Sequence, residues 1–524
     1  MGGILAVFGD NDGVDLSQRL EVMIGASPHR GAPTRAYAPG AAVATLSLGW
    51  DASLAKTGNL IVALHGYVGN WREIHEMWAE EGVTTDAEKV AAAYRRAGPS
   101  AFARFRGQFA CVIWDATTSR AYLFRDLSGG RPLFLHRSRS RIVAATMPRQ
   151  VLVGQGLEPA LDTQVLVGQM LFTPVGSGES LFREIHEVSP TSTEVLDVTR
   201  QMKMSASARW VPPEQESATA WRRTDLGREL AETVVRAVAR CLPAEPTALA
   251  LSGGHDSGLI WGCLRHLAAQ GIQEAALARP VTLHFPGLHL DESLRVGRLL
   301  ELFGCRGELI DVSSALAAGS TRALDDLLDC PGFPNLCVWE RFVRQLAKSD
   351  IRTMLTGHGG DHLFTGHPHV LADVMRSSGL IVYGKALSKS GLSSKALAAQ
   401  PLVSIAKALQ PSWVRRVRRR RQRPAWLSHA AWERWFDSYG RPLADDQRPG
   451  SDRRTGLLSS LRLLQHGLSW QYMDGLGSAA GIEERSPFAD QDVIDFAFRI
   501  PSEVMGTWGR GRRVVSETAR HMMP

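Results

Sequence analysis

The stretch TALALSGGHDS, residues 247–257, decides the fold of the larger part of the chain. A short apolar run, Thr247-Ala248-Leu249-Ala250-Leu251, stops at a serine and two glycines, and apolar residues at helical spacing resume beyond Ser257. This pattern predicts a strand, a tight turn and a helix over residues 257–269. Gly253 and Gly254 let backbone N–H groups approach a phosphate closely, and the helix N-terminus adds a favourable dipole. The hydroxyls of Ser252 and Ser257 can donate to phosphate oxygens, and Asp256 offers the hard oxygen donor that magnesium takes. The GKS/T element of a Walker loop is missing, so this is a phosphate loop of another kind.

Working outward, strand and helix alternate. Leu226, Leu230, Val234 and Val238 mark an amphipathic helix over residues 224–241. PVTLHF (280–285) reads as a second strand, residues 291–303 as a helix and GELIDV (307–312) as a third strand. A fourth strand, residues 351–356, runs into another glycine-rich turn. Such alternation predicts a doubly wound parallel sheet that binds ligands at the carboxyl ends of its strands. From residue 371 onward the pattern is mainly helical. Residues 1–205 differ: ILAVF (4–8), NLIVALHG (59–66), QFACVIWD (108–115) and RAYLFRD (120–126) are apolar runs between turn residues, with one helix over 86–96 opened by a Thr-Asp cap signal. The polar, proline-containing VPPEQES (211–217) reads as the linker. The fold class is therefore α/β overall, with an α+β β-sandwich domain over 1–210 and a parallel-sheet domain with a helical C-terminal part over 211–524.

A chain of 524 residues exceeds one core. No apolar run approaches the roughly 18–20 residues that span a bilayer. The start, MGGILAVFGDNDG, lacks the charged and apolar regions of a signal peptide. Six cysteines without CxxC spacing argue against a zinc site or disulfide framework and point to the cytoplasm. Much of the net charge of +7 comes from residues 415–423, RRVRRRRQR, read as a solvated face in an insertion with room for a peptide. Without interleaved aromatics or a nucleic-acid fold motif, no nucleic-acid partner is expected.

SGGHDS resembles the SGGxDS loop of the N-type ATP pyrophosphatases. The resemblance implies ATP as co-substrate, attack of a substrate oxygen on the α-phosphorus and release of pyrophosphate. By itself it leaves asparagine, GMP, NAD and argininosuccinate synthetases and tRNA-modifying enzymes open. LTGHGGDHLF (355–364) resembles the asparagine synthetase segment GEGxDExFxGY, and GIEERSPFAD (481–490) resembles GxExRxPFLD. In the first half, His29-Arg30-Gly31 resembles the HRG element of that family's Ntn-type glutaminase domain. HGYVGN (65–70) is similar to NGEIYN, RGQFA (106–110) to LxGxFAF, and Arg125-Asp126 through Arg131-Pro132-Leu133-Phe134 to RDxxGxKPLY. The chain thus resembles the asparagine synthetase family over nearly its whole length.

Two departures matter. A glutaminase of this type needs Cys after the initiator Met, whose thiolate attacks the amide, and here Gly2 and Gly3 stand there. The NG pair for the oxyanion has become His65-Gly66. The first domain is accordingly read as an inactive scaffold. Family members that supply the amine from the substrate itself are the β-lactam and carbapenam synthetases and the lasso peptide macrolactam synthetases. The GHGGD variant and the missing Cys resemble the last group most closely. That resemblance implies adenylation of a peptide Asp or Glu side chain, attack by the peptide α-amine and an isopeptide ring. It also implies a precursor peptide, a leader-peptide recognition protein and a leader peptidase as partners. The alternatives are a small-molecule cyclase, an ammonia-dependent asparagine synthetase and a catalytically silent ATP- or peptide-binding scaffold.

The resemblance implies ATP and pyrophosphate contacts at Ser252, Gly253, Gly254, Asp256, Ser257, Leu283 and Gly357, and magnesium at Asp256 and Asp361. His358 aligns with the Glu of GEG, and with Glu483 it would form a general base, imidazole titrating near neutrality and a carboxylate orienting it. Glu484 is the less favoured partner. The competing readings are a local strand-capping role for His358 and an ion pair of Glu483 with Arg485. Asp291-Glu292 resembles the family's nucleotide-side DE pair, and Asp291 also reads as a helix cap. Met523-Pro524 resembles an LP element that precedes a catalytic Lys in relatives; Arg510, Arg512 and Arg513 are the available substitutes.

Overall fold

The computed structural model describes residues 2–9, 15–78, 82–173, 178–200, 202–217, 220–221, 226–318, 329, 335–364, 411–441, 453–466, 468–502, 504–505 and 513–523. Two six-stranded sheets form the first part. One runs, in spatial order, His186–Glu187, Phe134–Arg137, Arg141–Ala145, Gly3–Gly9, Ala41–Ser47 and Ala32–Ala38; the other runs Lys203–Ala208, Ser192–Asp197, Arg120–Arg125, Gly107–Asp115, Leu60–Val68 and Ala52–Thr57. Both are antiparallel.

Side-chain alternation explains the layering. Ile4, Ala6 and Phe8 face the second sheet, where they meet Ile61, Val112 and Trp114. Leu5 and Val7 face the other way, onto Leu20, Met23 and Val151 of the helices Leu16–Gly25 and Pro148–Gln155. Because both faces are covered, the strand is apolar throughout and not alternating. The second sheet is backed by Val90, Ala91 and Ala93 of the helix Asp86–Ala97, whose capping box joins Thr85 and Glu88. The result is a four-layer sandwich, helix–sheet–sheet–helix.

The second part holds a five-stranded parallel sheet in the order Glu308–Asp311, Arg279–His284, Thr247–Ala250, Thr353–Leu355 and Glu483–Arg485. Leu249, Leu251 and Leu355 pack on one face with Leu230, Val234 and Leu259. Ala248, Val281, Ile310 and Met354 pack on the other with Phe342, Val343 and Leu346. The chain leaves Thr247–Ala250 toward one edge and later returns on its other side. The switch point therefore lies between Thr247–Ala250 and Thr353–Leu355, where a ligand crevice opens in such sheets.

The strand Glu483–Arg485 is one that composition does not signal, since Glu and Arg are poor strand formers. The predicted helices at 224–241, 257–269 and 291–303 are observed as Leu226–Cys241, His255–Ala269 and Ser293–Leu302. Within the predicted helical C-terminal part, residues 365–410 lie outside the described residues, and Ser412–Arg420, His429–Trp435, Arg453–His466, Leu468–Ala480, Gln491–Arg499 and Arg513–Met522 are helices. The arginine run is partly engaged internally: Arg420 bonds Glu433, and the Arg419 guanidinium lies 5.7 Å from the Trp435 ring. Exposed Trp413 and Trp426 flank it. Arg510 and Arg512, the side chain of Arg513, and Pro524 lie outside the described residues. Among the described residues, no helix is long and apolar enough to cross a membrane.

Candidate active site

Two glycine-rich loops meet at the switch point. The first, after Thr247–Ala250, carries Ser252-Gly253-Gly254-His255-Asp256-Ser257; the second, after Thr353–Leu355, carries Thr356-Gly357-His358-Gly359-Gly360-Asp361. They interlock closely. A Cβ on Gly360 would lie 2.5 Å from Asp256 Cγ, and one on Gly357 3.0 Å from Asp256 Cβ. Gly360→Ala is expected to push Asp256 aside at an overpacking cost of about 1–3 kcal/mol, read as a lower melting temperature together with weaker ATP binding by calorimetry.

Between the loops and the helix Leu468–Ala480 lies a cavity of about 560 Å³. Ser252, Gly254, Asp256, Ser257, Leu283, Gly357, His358 and Asp361 all line it. Its apolar wall includes Leu336, Trp339 and Met473, and no Lys or Arg is among the described residues lining it. The first loop is held by its own hydroxyls: Ser252 Oγ and Ser257 Oγ are 2.9 Å apart, and Gly254 N–H donates to Ser252 Oγ at 3.2 Å. Gly253 is not a lining residue. Its N–H donates to the Glu292 carboxylate at 3.2 Å, so a protein anion occupies a donor of the loop. A phosphate using that donor would displace Glu292. Asp291 acts as a cap, accepting from the Ser293 N–H at 3.2 Å and hydroxyl at 2.8 Å.

The expected His358–Glu483 pair does not form. His358 lies flat on Trp470, with ring centroids 4.4 Å apart and planes at 14°, and its Nε2 is 3.3 Å from Ser469 Oγ. Burial, with the neighbouring His362, pushes its pKa down to about 3, so the ring stays neutral. Glu483 is buried away from the cavity. One oxygen accepts from Arg131 Nη2 at 2.7 Å, and the other from Arg485 Nε at 2.9 Å and Nη2 at 2.6 Å. Strand alternation is the cause: Glu483 and Arg485 share one face, and Glu484 takes the other.

Glu484 lines the cavity. Its Oε1 accepts from Thr356 Oγ1 at 2.6 Å, and its Oε2 has no hydrogen-bond partner among the described residues. Burial raises its pKa to about 7, against the lowering effects of the Thr356 hydroxyl and the Arg131 charge. An ion pair between residues two apart, Glu483 and Arg485, is the sequence signal that would have selected Glu484, once a strand is assumed there.

The first domain presents a closed site to the second. A Cβ on Gly2 would lie 2.1 Å from the Leu46 carbonyl oxygen, so no side chain fits there without backbone movement. Arg30 donates to Gly2 O at 2.6 Å and pairs with Asp474 at 2.7 Å, Asp474 coming from the helix Leu468–Ala480. His65, fully buried, sits 3.5 Å from the same carboxylate. Burial favours protonation of Asp474, but Arg30, His65 and Arg131 outweigh it and hold the carboxyl below its ordinary range. Cys241, against the Tyr67 hydroxyl at 3.1 Å, is pushed up to about 12 by burial, and burial raises the Cys111 thiol too. Gly2→Cys is expected to lower stability and to produce no glutamate from glutamine in a coupled assay.

A four-layer sandwich joined to a parallel-sheet domain with two glycine-rich loops at its switch point defines a class of two-domain proteins. The Asparagine synthase family model matches residues 229–524, and the Glutamine amidotransferase domain model matches residues 1–208. The chain belongs to the asparagine synthase family. It is 26% identical over 306 residues to the amidase chyE of Penicillium rubens, covering 56% of this chain and 44% of that protein. It is 25% identical over 303 residues to the amidase chry2 of Gibberella zeae, covering 55% and 44%. To asparagine synthetase (glutamine-hydrolyzing) 1 of Bacillus subtilis it is 22% identical over 499 residues, covering 88% and 73%. The chain thus spans less than half the length of the first two curated relatives. Glutamine phosphoribosylpyrophosphate amidotransferase from B. subtilis, solved with ADP and GMP, matches with a TM-score of 0.30 and 12% identity, covering 60% of this chain and 77% of that one.

Proposed function

We propose that this protein is an ATP-dependent, AMP-forming carbon–nitrogen ligase that closes a macrolactam ring in a peptide. A side-chain carboxylate of an Asp or Glu attacks the α-phosphorus of ATP, pyrophosphate leaves, and the peptide α-amine then displaces AMP. The interlocked loops carry this reading: one supplies hydroxyls and N–H groups for phosphate, and the two together bring Asp256 and Asp361 to one cavity. Two carboxylates from facing loops, with phosphate oxygens and water completing the shell, suit magnesium. Bound there, the ion would neutralise charge on the leaving pyrophosphate.

The closed site at Gly2 supports a silent glutaminase domain, and hence an amine that comes from the substrate. Nothing of this kind is implied by the printed name of the B. subtilis relative, which describes glutamine hydrolysis. The apolar wall at Leu336, Trp339 and Met473 suits the body of a peptide more than a free amino acid. The partners proposed are a precursor peptide, a leader-binding protein and a leader peptidase, in the cytoplasm.

ATP–pyrophosphate exchange tests the reading. A panel of synthetic peptides with a free α-amine and one Asp or Glu would be compared with free aspartate and with glutamine. Peptide-dependent exchange, with product lighter by one water, is the expected result. Exchange with free aspartate alone would replace it with a small-molecule ligase.

A further inference from the structure

We propose that Glu292 and Arg295 form a gate on the first glycine loop: Glu292 competes with the polyphosphate for the Gly253 N–H, and Arg295 passes from Glu292 to the phosphate that is admitted. The proposal rests on the adenylation reading for the identity of the ligand, and it names two residues of this chain that control the ligand's entry and exit.

The loop donor is aimed at an anion. The Gly253 N–H donates to Glu292 Oε2 at 3.2 Å, and Glu292 is itself a lining residue of the cavity. A backbone N–H in a glycine turn ahead of a helix suits a phosphate oxygen, and a carboxylate oxygen at that donor is its chemical mimic.

Arg295 lies on the same loop. Its Cδ and Cβ come within 3.0 and 3.1 Å of the point where a Cβ on Gly253 would stand. Gly253 does not have a positive φ, so its missing side chain serves clearance and not backbone conformation. The bare glycine leaves the room that the Arg295 stem occupies.

The contact between the two side chains is easily parted. Arg295 Nη1 is 3.8 Å from Glu292 Oε1, and the side chains are 75% and 42% exposed. A long, solvated pair of this kind contributes little, so a stronger anion can take the arginine. The cavity favours that exchange. Asp256, Asp361, Glu292 and Glu484 line it, and no Lys or Arg is among its described lining residues. A triphosphate adds further negative charge. Magnesium at Asp256 and Asp361 would offset part of it, and a guanidinium fork beside Gly253 meets phosphate oxygens with charge-assisted bonds.

The gate then works by exchange of partners. Phosphate oxygens arriving at Gly253 repel the Glu292 carboxylate, which turns out to solvent and frees Arg295. When pyrophosphate leaves, Glu292 retakes the N–H and the arginine, and its return disfavours rebinding of the product.

The test titrates inorganic pyrophosphate, with magnesium present, into the full chain by calorimetry, with adenosine as the phosphate-free control. Arg295→Met keeps the stem and removes the charge; it should weaken pyrophosphate binding about 10-fold, and Arg295→Lys should restore part of the loss. Glu292→Ala should tighten binding about 3–5-fold by removing the competitor. Adenosine affinity should stay at the parent value in all three, which a general disturbance of the site would not allow. Parent-like pyrophosphate affinity in Arg295→Met, or unchanged or weaker binding in Glu292→Ala, overturns the gate alone. Absence of both pyrophosphate and ATP binding in the parent protein overturns the adenylation reading and the gate with it.

Discussion

Glu483→Ala is expected to lower the stability of the whole protein by about 3–5 kcal/mol, because it leaves Arg131 and Arg485 as buried charges without their counter-ion. Arg131 and Glu483 are each 1% exposed, and the pair joins the two domains. Denaturant unfolding followed by circular dichroism would measure the loss. Arg131→Met and Arg485→Met combined with Glu483→Gln should recover much of it, since removing all three members of the buried cluster is far milder than removing the shared counter-ion alone. The same interface sets an acid limit. Burial pushes Glu483, Asp474 and Glu187 upward, but Arg485 and Arg131, Arg30, and Arg125 respectively outweigh it and hold each below its ordinary range. A depressed folded-state pKa contributes stability that is complete above the unfolded value, about 4, and lost as pH falls through the folded values. Stability should therefore decline with acidification below about pH 4–5. A flat profile there would contradict the assignment of these pairs.

Asp256→Ala should abolish ATP–pyrophosphate exchange, with a loss of about 10²–10³-fold or more, because it removes a charged group in the first glycine loop that lines the same cavity as Asp361. The fold should survive. Alanine retains the Cβ that packs near Gly357, and the deleted carboxylate leaves space beside Gly360 that is continuous with the cavity Asp256 lines. Exchange rates and a melting curve on the same sample separate the two effects. An active Asp256→Ala protein would remove the phosphate loop from the mechanism.

Much of this was legible in the sequence for physical reasons. The strand–glycine–helix pattern at 247–257 sets the parallel sheet and puts a glycine-rich turn at its switch point, because a strand ending in glycines before a helix is how such a sheet forms its ligand crevice. The sandwich was legible in apolar runs separated by turn residues. The strand Glu483–Arg485 was not: three charged residues are a strand only because Arg131 and Thr356 from elsewhere satisfy them. Motif alignment accordingly points to Glu483, while the alternation of that strand turns Glu484, not Glu483, to the cavity. Gly253 was assigned to nucleotide from its place in the motif, and the bond to Glu292 depends on a helix 39 residues further along. The closure over Gly2 was readable only as a missing thiol; that Leu46 O leaves no room for one is a property of the packing.

The central claim is that a substrate carboxylate is activated on the α-phosphorus of ATP, and oxygen-18 transfer tests it most directly. A peptide labelled with oxygen-18 in its Asp or Glu side-chain carboxyl would be turned over with ATP, and the nucleotide and phosphate products examined by mass spectrometry. Label in AMP, alongside unlabelled pyrophosphate, is the predicted result. Label in inorganic phosphate with ADP as the co-product would mean attack at the γ-phosphorus and would contradict the account.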